Sequence, residues 1–184
     1  MRQGPMQIWT IGHSTRPLEE FLALLAENRI ASLADVRQFP GSRRYPHFNA
    51  ERLSPALAAA GIEYVHFLEL GGRRRPRPDS PNTAWRHEAF RGYADHMMTD
   101  AFRDGIARLL AAAAQKRTAI MCSEAVWWRC HRSLISDYLK AQGHEVIHIL
   151  GPGKAEPHPF TSAARIVDGR LSYASAEAET GFLF

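Results

Sequence analysis

The feature that most constrains the fold is a repeated alternation. Short apolar runs occupy residues 6–11 (MQIWTI), 30–36 (IASLADV), 62–68 (IEYVHFL), 118–121 (TAIM) and 145–150 (EVIHIL). Between them lie stretches whose apolar residues recur at helical spacing: Leu18, Phe21, Leu22 and Leu25, then Leu53 and Leu57, then Phe90, Tyr93, Ala94 and Met97. Phe102, Ile106, Leu109 and Leu110 continue the pattern before the fourth run, and Leu134, Ile135, Tyr138 and Leu139 follow it. Strands alternating with helices imply a parallel sheet with right-handed crossovers. The chain is therefore read as α/β, a single Rossmann-like domain with a central parallel sheet of about five strands flanked by helices. The expected strand order is 3-2-1-4-5, with the switch point between strands one and four. Residues 1–150 make this domain. Residues 151–184 form a C-terminal extension, with a small hairpin turning at Asp168-Gly169 and then a polar tail.

Parallel topology has a consequence for function. Gly12-His13-Ser14, Asp35-Val36-Arg37, Leu70-Gly71-Gly72 and Cys122-Ser123-Glu124 all follow the C-terminal ends of strands. They are expected to meet on one edge of the sheet, where open α/β sheets place ligands. The densest stretch is TAIMCSEAVWWRCHR, residues 118–132, which holds two cysteines, a carboxylate, a histidine and two arginines after a strand. A helix is expected to start near Cys130, where free amides and the macrodipole favour anions and lower a thiol pKa. Ser14 or Thr15 is expected to cap the first helix, with Pro17 in its first turn.

Composition sets bounds. The 184 residues are 45% hydrophobic and 23% charged, which suits a globular protein with its own core. No apolar run approaches the roughly 20 residues that a membrane helix needs, and residues 1–14 lack the apolar core of a signal peptide. A cytoplasmic protein with no membrane partner is the expectation. Only two cysteines occur, so no disulfide framework is implied. The net charge of +4 favours anionic ligands, and arginines cluster in expected loops at Arg37, Arg43, Arg44, Arg73, Arg74, Arg75 and Arg77. The Arg- and Pro-rich residues 73–82 read either as a solvated, mobile loop or as a lid over the site.

Several chemistries remain open on these residues. Cys122 and Cys130 are candidate nucleophiles, with His13, Asp35 and Glu124 as acid–base groups. A phosphatase-like cradle fits poorly, because six residues separate Cys122 from Arg129 and two of them are tryptophans. Zinc held by Cys122, Cys130, His131 and His13 lacks the usual Cys-x₂₋₄-Cys spacing, so no metal site is assigned. Anion recognition is best supported, through Gly12, Ser14, Arg37, Ser42, Arg43, Gly71, Gly72, His131 and Arg132. Trp127 and Trp128 beside that site are candidates to stack a base, with Tyr45 and Phe48 as weaker ones, and packing in a core or interface is the other reading. His66 and His148 fall inside strands and read as structural.

The ordered set TIGHS (residues 10–14), DVRxxPxS (35–42), LGG (70–72), FRGYADHM (90–97) and MCSE…CHR (121–132) resembles the bacterial family catalogued as domain of unknown function 488. That resemblance spans residues 6–150 and implies an α/β sandwich, but no established activity. From the residues, the expectation is an enzyme acting on a phosphorylated or nucleotide-like anionic small molecule at the C-terminal edge of the sheet. The alternative is a nucleic-acid-binding module that uses the arginine loops for phosphates and the tryptophans for stacking. No cofactor and no oligomeric state follows from the sequence.

Overall fold

The computed structural model describes residues 4–176. Five parallel strands, β1 (Gln7–Gly12), β2 (Ser32–Asp35), β3 (Glu63–His66), β4 (Thr118–Cys122) and β5 (Glu145–Gly151), form the sheet. A sixth, β6 (Lys154–Pro157), adds antiparallel to β5 through a turn at Gly153, whose φ is +66°. The composition shift after residue 150 concealed this strand. A separate hairpin of β7 (Arg165–Val167) and β8 (Arg170–Ser172) turns at Asp168-Gly169, both with positive φ, as the Asp-Gly pair implies. The expected polar tail falls on residues 177–184, outside the described residues.

The observed order is β3-β2-β4-β1-β5-β6, which corrects 3-2-1-4-5. β4 lies between β2 and β1 because all five of its residues are buried, TAIMC being apolar enough to pack on both faces. Five helices cover the sheet: α1 (Leu18–Glu27), α2 (Ala50–Ala59), α3 (Glu88–His96), α4 (Asp100–Gln115) and α5 (Arg132–Ala141). Side chains alternate along each strand between two cores. Trp9, Ile11, Leu33, Ala119 and Met121 meet Phe21, Leu24 and Leu25 of α1 and Leu53 and Leu57 of α2. Ile8, Ala34, Ile120 and Cys122 meet the opposite layer, including Tyr93, Phe102, Ile106, Leu134 and Ile135.

This layering positions the site. β1 and β2 lead to α1 and α2 on one face, while β4 leads to α5 on the other. The chain thus diverges on both sides of the C-terminal end of β4, and a crevice must open there. The expected switch point between β1 and β4 survives the corrected order, and β4 gains a second one against β2.

Helix starts differ in detail from the sequence expectation. α1 begins after Pro17, with no side-chain cap from Ser14 or Thr15. Ser14 instead takes a left-handed turn with φ of +50°. α5 begins at Arg132 rather than Cys130, because residues 127–129 form a separate 3-10 turn. Among the described residues, no helix is long and apolar enough to cross a membrane.

Candidate functional site

The end of β4 is pinned first. His13 N–H donates to the Cys122 carbonyl and Ser14 N–H to the Ser123 carbonyl, each at 2.9 Å, so β1 and β4 stay paired past their ends. A Cβ on Gly12 would lie 1.6 Å from the Glu124 carbonyl oxygen, so only glycine admits this approach. Three rings on the opposite layer then clamp the neighbouring loops. His131 Nε2 donates to the Val36 carbonyl, Tyr93 Oη to Leu70 and His96 Nε2 to Glu69, at 2.7, 2.8 and 2.6 Å.

Into this frame the chain brings its two thiols. Residues 123–129 leave the sheet and return, and the sulfurs of Cys122 and Cys130 end 2.8 Å apart. Arg132 closes the group: Nε lies 3.0 Å from Cys122 Sγ and 3.2 Å from Cys130 Sγ, and its amide nitrogen is 3.4 Å from Cys130 Sγ. Its other donors reach Thr10 Oγ1 at 3.1 Å and the Glu124 carbonyl at 2.6 Å. Arg132 is 1% exposed and is not part of the cleft wall. The group that this helix start faces is the protein's own sulfur.

The surroundings push the two thiols in opposite directions. Burial alone pushes the Cys130 thiol up, but hydrogen bonding from Cys122, the charge of Arg132 and the Arg132 amide outweigh it and hold it down at about 5. Cys122 moves the other way, raised well above the ordinary thiol value by burial and by its bond to Cys130. These directions favour negative charge on Cys130, with Cys122 as the thiol that donates to it.

Cys122 and Cys130 both line a cleft of about 640 Å³, a size suited to a small molecule. His13, Ser14, Arg37, Ser42, Gly72, Cys122, Glu124, Cys130 and His131 line it together, so strand-end residues far apart in sequence do converge. The wall also includes Arg44, Tyr45 and Arg73, which the sequence offered as loop charge and a stacking ring, and Gln38 and Phe39, for which it gave no signal. Loop positions without periodicity carry little signal, although the Arg43-Arg44 pair pointed near the right place. Arg44 rather than Arg43 faces the cleft, and Gly12, Asp35, Gly71 and Trp127 stand behind or beside it.

Asp35 and Arg37 form a buried pair. Both carboxylate oxygens of Asp35 are occupied by Arg37 Nε, Nη2 and N–H and by the Tyr64 hydroxyl. With 0% exposure, Asp35 cannot reach a ligand; it aims Arg37. Arg37 Nη1 is left toward His13 Nε2 at 3.4 Å. The His13 ring stacks on Phe48, and burial lowers its pKa to about 4, so it is a neutral imidazole at pH 7.

Trp127 does not stand open to a base. It stacks on His148 at 4.7 Å with 6° between planes, while Trp128 is the exposed one of the pair. Residues 73–82 are irregular, as composition implies, but they are tied down. Arg77 N–H, Ser80 Oγ and Asn82 Nδ2 all donate to the Asp95 carboxylate. Among the described residues, no group of three or more His, Cys, Asp or Glu side chains is placed to hold a metal ion.

Residues 17–139 match the family described as Domain of unknown function DUF488. The chain belongs to that family. The match takes in β2, β3, β4 and the thiol pair, while β1 with its Gly-His-Ser turn and β5 lie outside it. No curated protein and no solved structure matches the chain. For this DUF488 protein, then, the chemistry rests on the residues themselves.

Proposed function

We propose that this protein is an enzyme that takes a small phosphorylated or nucleotide-like anion into the strand-end cleft and acts on it through the Cys130 sulfur. The observation that carries the reading is Cys130 in the cleft wall, with its sulfur 2.8 Å from Cys122 Sγ and 3.2 Å from Arg132 Nε. A thiolate at that place is a nucleophile at neutral pH, and the surrounding charge favours an anionic substrate. Arg37, held by Asp35, offers a directed Nη1, and Arg44 and Arg73 add charge at the rim. In a covalent cycle the sulfur bonds to the electrophilic centre while the leaving group departs, and water later restores the thiolate. Glu124, exposed on the rim, is the carboxylate free to move protons there, and His13 is the neutral base beside Arg37.

The test combines labelling with binding. Iodoacetamide is expected to modify Cys130 at pH 7, and phosphate or a nucleoside monophosphate is expected to slow the reaction and to give measurable heat in calorimetry. Rapid labelling with no protection and no heat from either anion removes the anionic substrate. Absence of labelling, with Cys130→Ser as the control, removes the thiolate.

One observation favours the nucleic-acid reading. A second cleft lined by Arg73, Arg74, Arg75, His87, Glu88 and Ala89 shares Arg73 with the first, so a run of phosphates would find net positive charge across both despite Glu88. Affinity that grows with oligonucleotide length and falls steeply with salt supports it. Affinity that saturates at a mononucleotide supports the enzyme.

A further inference from the structure

Behind the thiols, away from the cleft, lies a row of buried polar groups that the proposed chemistry does not use. Thr10, Asp137 and His148 are 0% exposed and His158 3%. Arg132 Nη1 lies 3.1 Å from Thr10 Oγ1, which is 2.5 Å from His148 Nδ1. His148 Nε2 lies 2.8 Å from His158 Nδ1, and His158 Nε2 is 2.8 Å from Asp137 Oδ1. The Asp137 carboxylate also accepts from Thr161 N–H, Thr161 Oγ1 and the Tyr173 hydroxyl.

With both imidazoles neutral, every bond in this row has one direction. A guanidinium only donates and a carboxylate only accepts, so the two ends fix what lies between. Arg132 donates to Thr10, Thr10 to His148 Nδ1, His148 Nε2–H to His158 Nδ1, and His158 Nε2–H to Asp137. In this arrangement both histidines are Nε2–H tautomers, and each link satisfies one donor and one acceptor. Arginine does not give up its proton, so the row cannot carry protons from the sulfurs. What it can do is hold a long cation in one orientation, with an opposite charge at its far end.

We propose that Thr10, His148, His158 and Asp137 are positioning residues that fix the guanidinium of Arg132 on the sulfurs of Cys122 and Cys130. The inference deepens the proposed function and rests on its use of the Cys130 sulfur, but not on the identity of the substrate. Trp127, flat on His148, keeps that ring in the plane the row requires. Burial, His158 and Arg132 lower the His148 pKa to about 2, which keeps the link neutral through the working range. The groups that face Cys130 itself are Cys122 from β4, His131 and Arg132 from the start of α5 and Tyr93 from α3. Of these, only Arg132 is reached by the row.

Two measurements test this. In the wild-type protein, nitrogen-15 NMR of the imidazoles is expected to show the Nε2–H tautomer for both His148 and His158 at pH 7. An Nδ1–H tautomer or an imidazolium at either residue overturns the directed row. The second follows the pH dependence of Cys130 alkylation in Thr10→Val, Thr10→Ser and His148→Phe. Valine keeps the shape and loses the hydroxyl, serine keeps the hydroxyl, and phenylalanine keeps a ring against Trp127. The midpoint is expected to rise by about one pH unit in Thr10→Val and His148→Phe, the scale of one lost charge-assisted hydrogen bond, and to stay near wild type in Thr10→Ser. Folded Thr10→Val or His148→Phe protein titrating like wild type overturns the proposal. If neither variant folds, the tautomers decide alone. Anion binding in the cleft is read separately by calorimetry, so an intact row with no anion binding would sink the substrate and leave the row.

Discussion

The two faces of the sheet are built on different terms. Against α1 and α2 the packing along the strands is apolar, with Ile11, Phe21, Leu25, Leu33, Leu53, Leu57 and Met121 all 0% exposed, and only the strand ends add His13 and the Asp35–Arg37 pair. Against α3, α4 and α5 the same strands carry Cys122, Thr10 and His148 inward, and α5 answers with Arg132 and Asp137. Apolar burial needs no orientation and tolerates small shifts. A buried polar set needs every partner in place, since an unpaired donor or acceptor costs about 1–3 kcal/mol. One face holds the sheet together, and the other uses that rigidity to hold reactive groups in register.

Substitutions on the two faces should therefore separate stability from reactivity. The largest effect on stability is expected from Phe21→Ala, which empties a fully buried ring site and should cost about 3–5 kcal/mol in urea unfolding. Its Cys130 alkylation profile should be unchanged, and a moved midpoint would mean the two faces are coupled. Arg132→Met is expected to do the reverse. It keeps much of the buried volume but removes the charge between the sulfurs, so alkylation at pH 7 should slow toward the rate of an ordinary thiol. Its stability loss should be smaller, about 1.5–3 kcal/mol, the scale of hydrogen bonds to a charged group. Unaltered alkylation in that variant would break the assignment of Arg132 to the thiolate.

Acid should act through one group on each face. Cys130 has a folded pKa held below the unfolded thiol value, so its contribution is complete above the unfolded pKa and fades as pH falls toward about 5. His13, lowered to about 4, binds its proton more readily in the unfolded chain, so its contribution is lost between about pH 6.5 and 4. Both signs agree: melting temperature should fall on going from pH 8 to pH 5. Cys130→Ser should flatten the upper part of that profile, and an unchanged slope would count against the thiolate. The smallest effect is expected at the rim. Arg44→Ala should weaken phosphate or nucleotide binding by roughly two- to fivefold at low salt and by less at high salt.

The sequence revealed these two faces unevenly. The five parallel strands were legible because each is a short apolar run with β-branched or aromatic residues. Their neighbours were not, because side-chain periodicity says which face is buried and nothing about which strand lies alongside. The strand-end rule located His13, Arg37, Gly72 and Cys122 without the correct order, since it depends only on strand direction. The role of Arg132 was not legible. An arginine beside a helix start reads as a ligand for external anions, and only the return of residues 123–129 shows that two sulfurs already occupy it. His158 was hidden for another reason: it follows Pro157 in a stretch whose composition suggests no strand, and β6 carries it inward.

The strand that delivers His158 also finishes the sheet. A parallel sheet ending at β5 would present a long, apolar row of unpaired amides and carbonyls to other chains. β6 covers that row with Lys154, Ala155, Glu156 and Pro157, all exposed, two of them charged and one without an amide proton. Strand-to-strand pairing between molecules is disfavoured along such a border, both by charge and by the missing donor. The opposite border, β3, is only four residues long. The short hairpin that completes the interior therefore also protects the molecule against edge-to-edge aggregation.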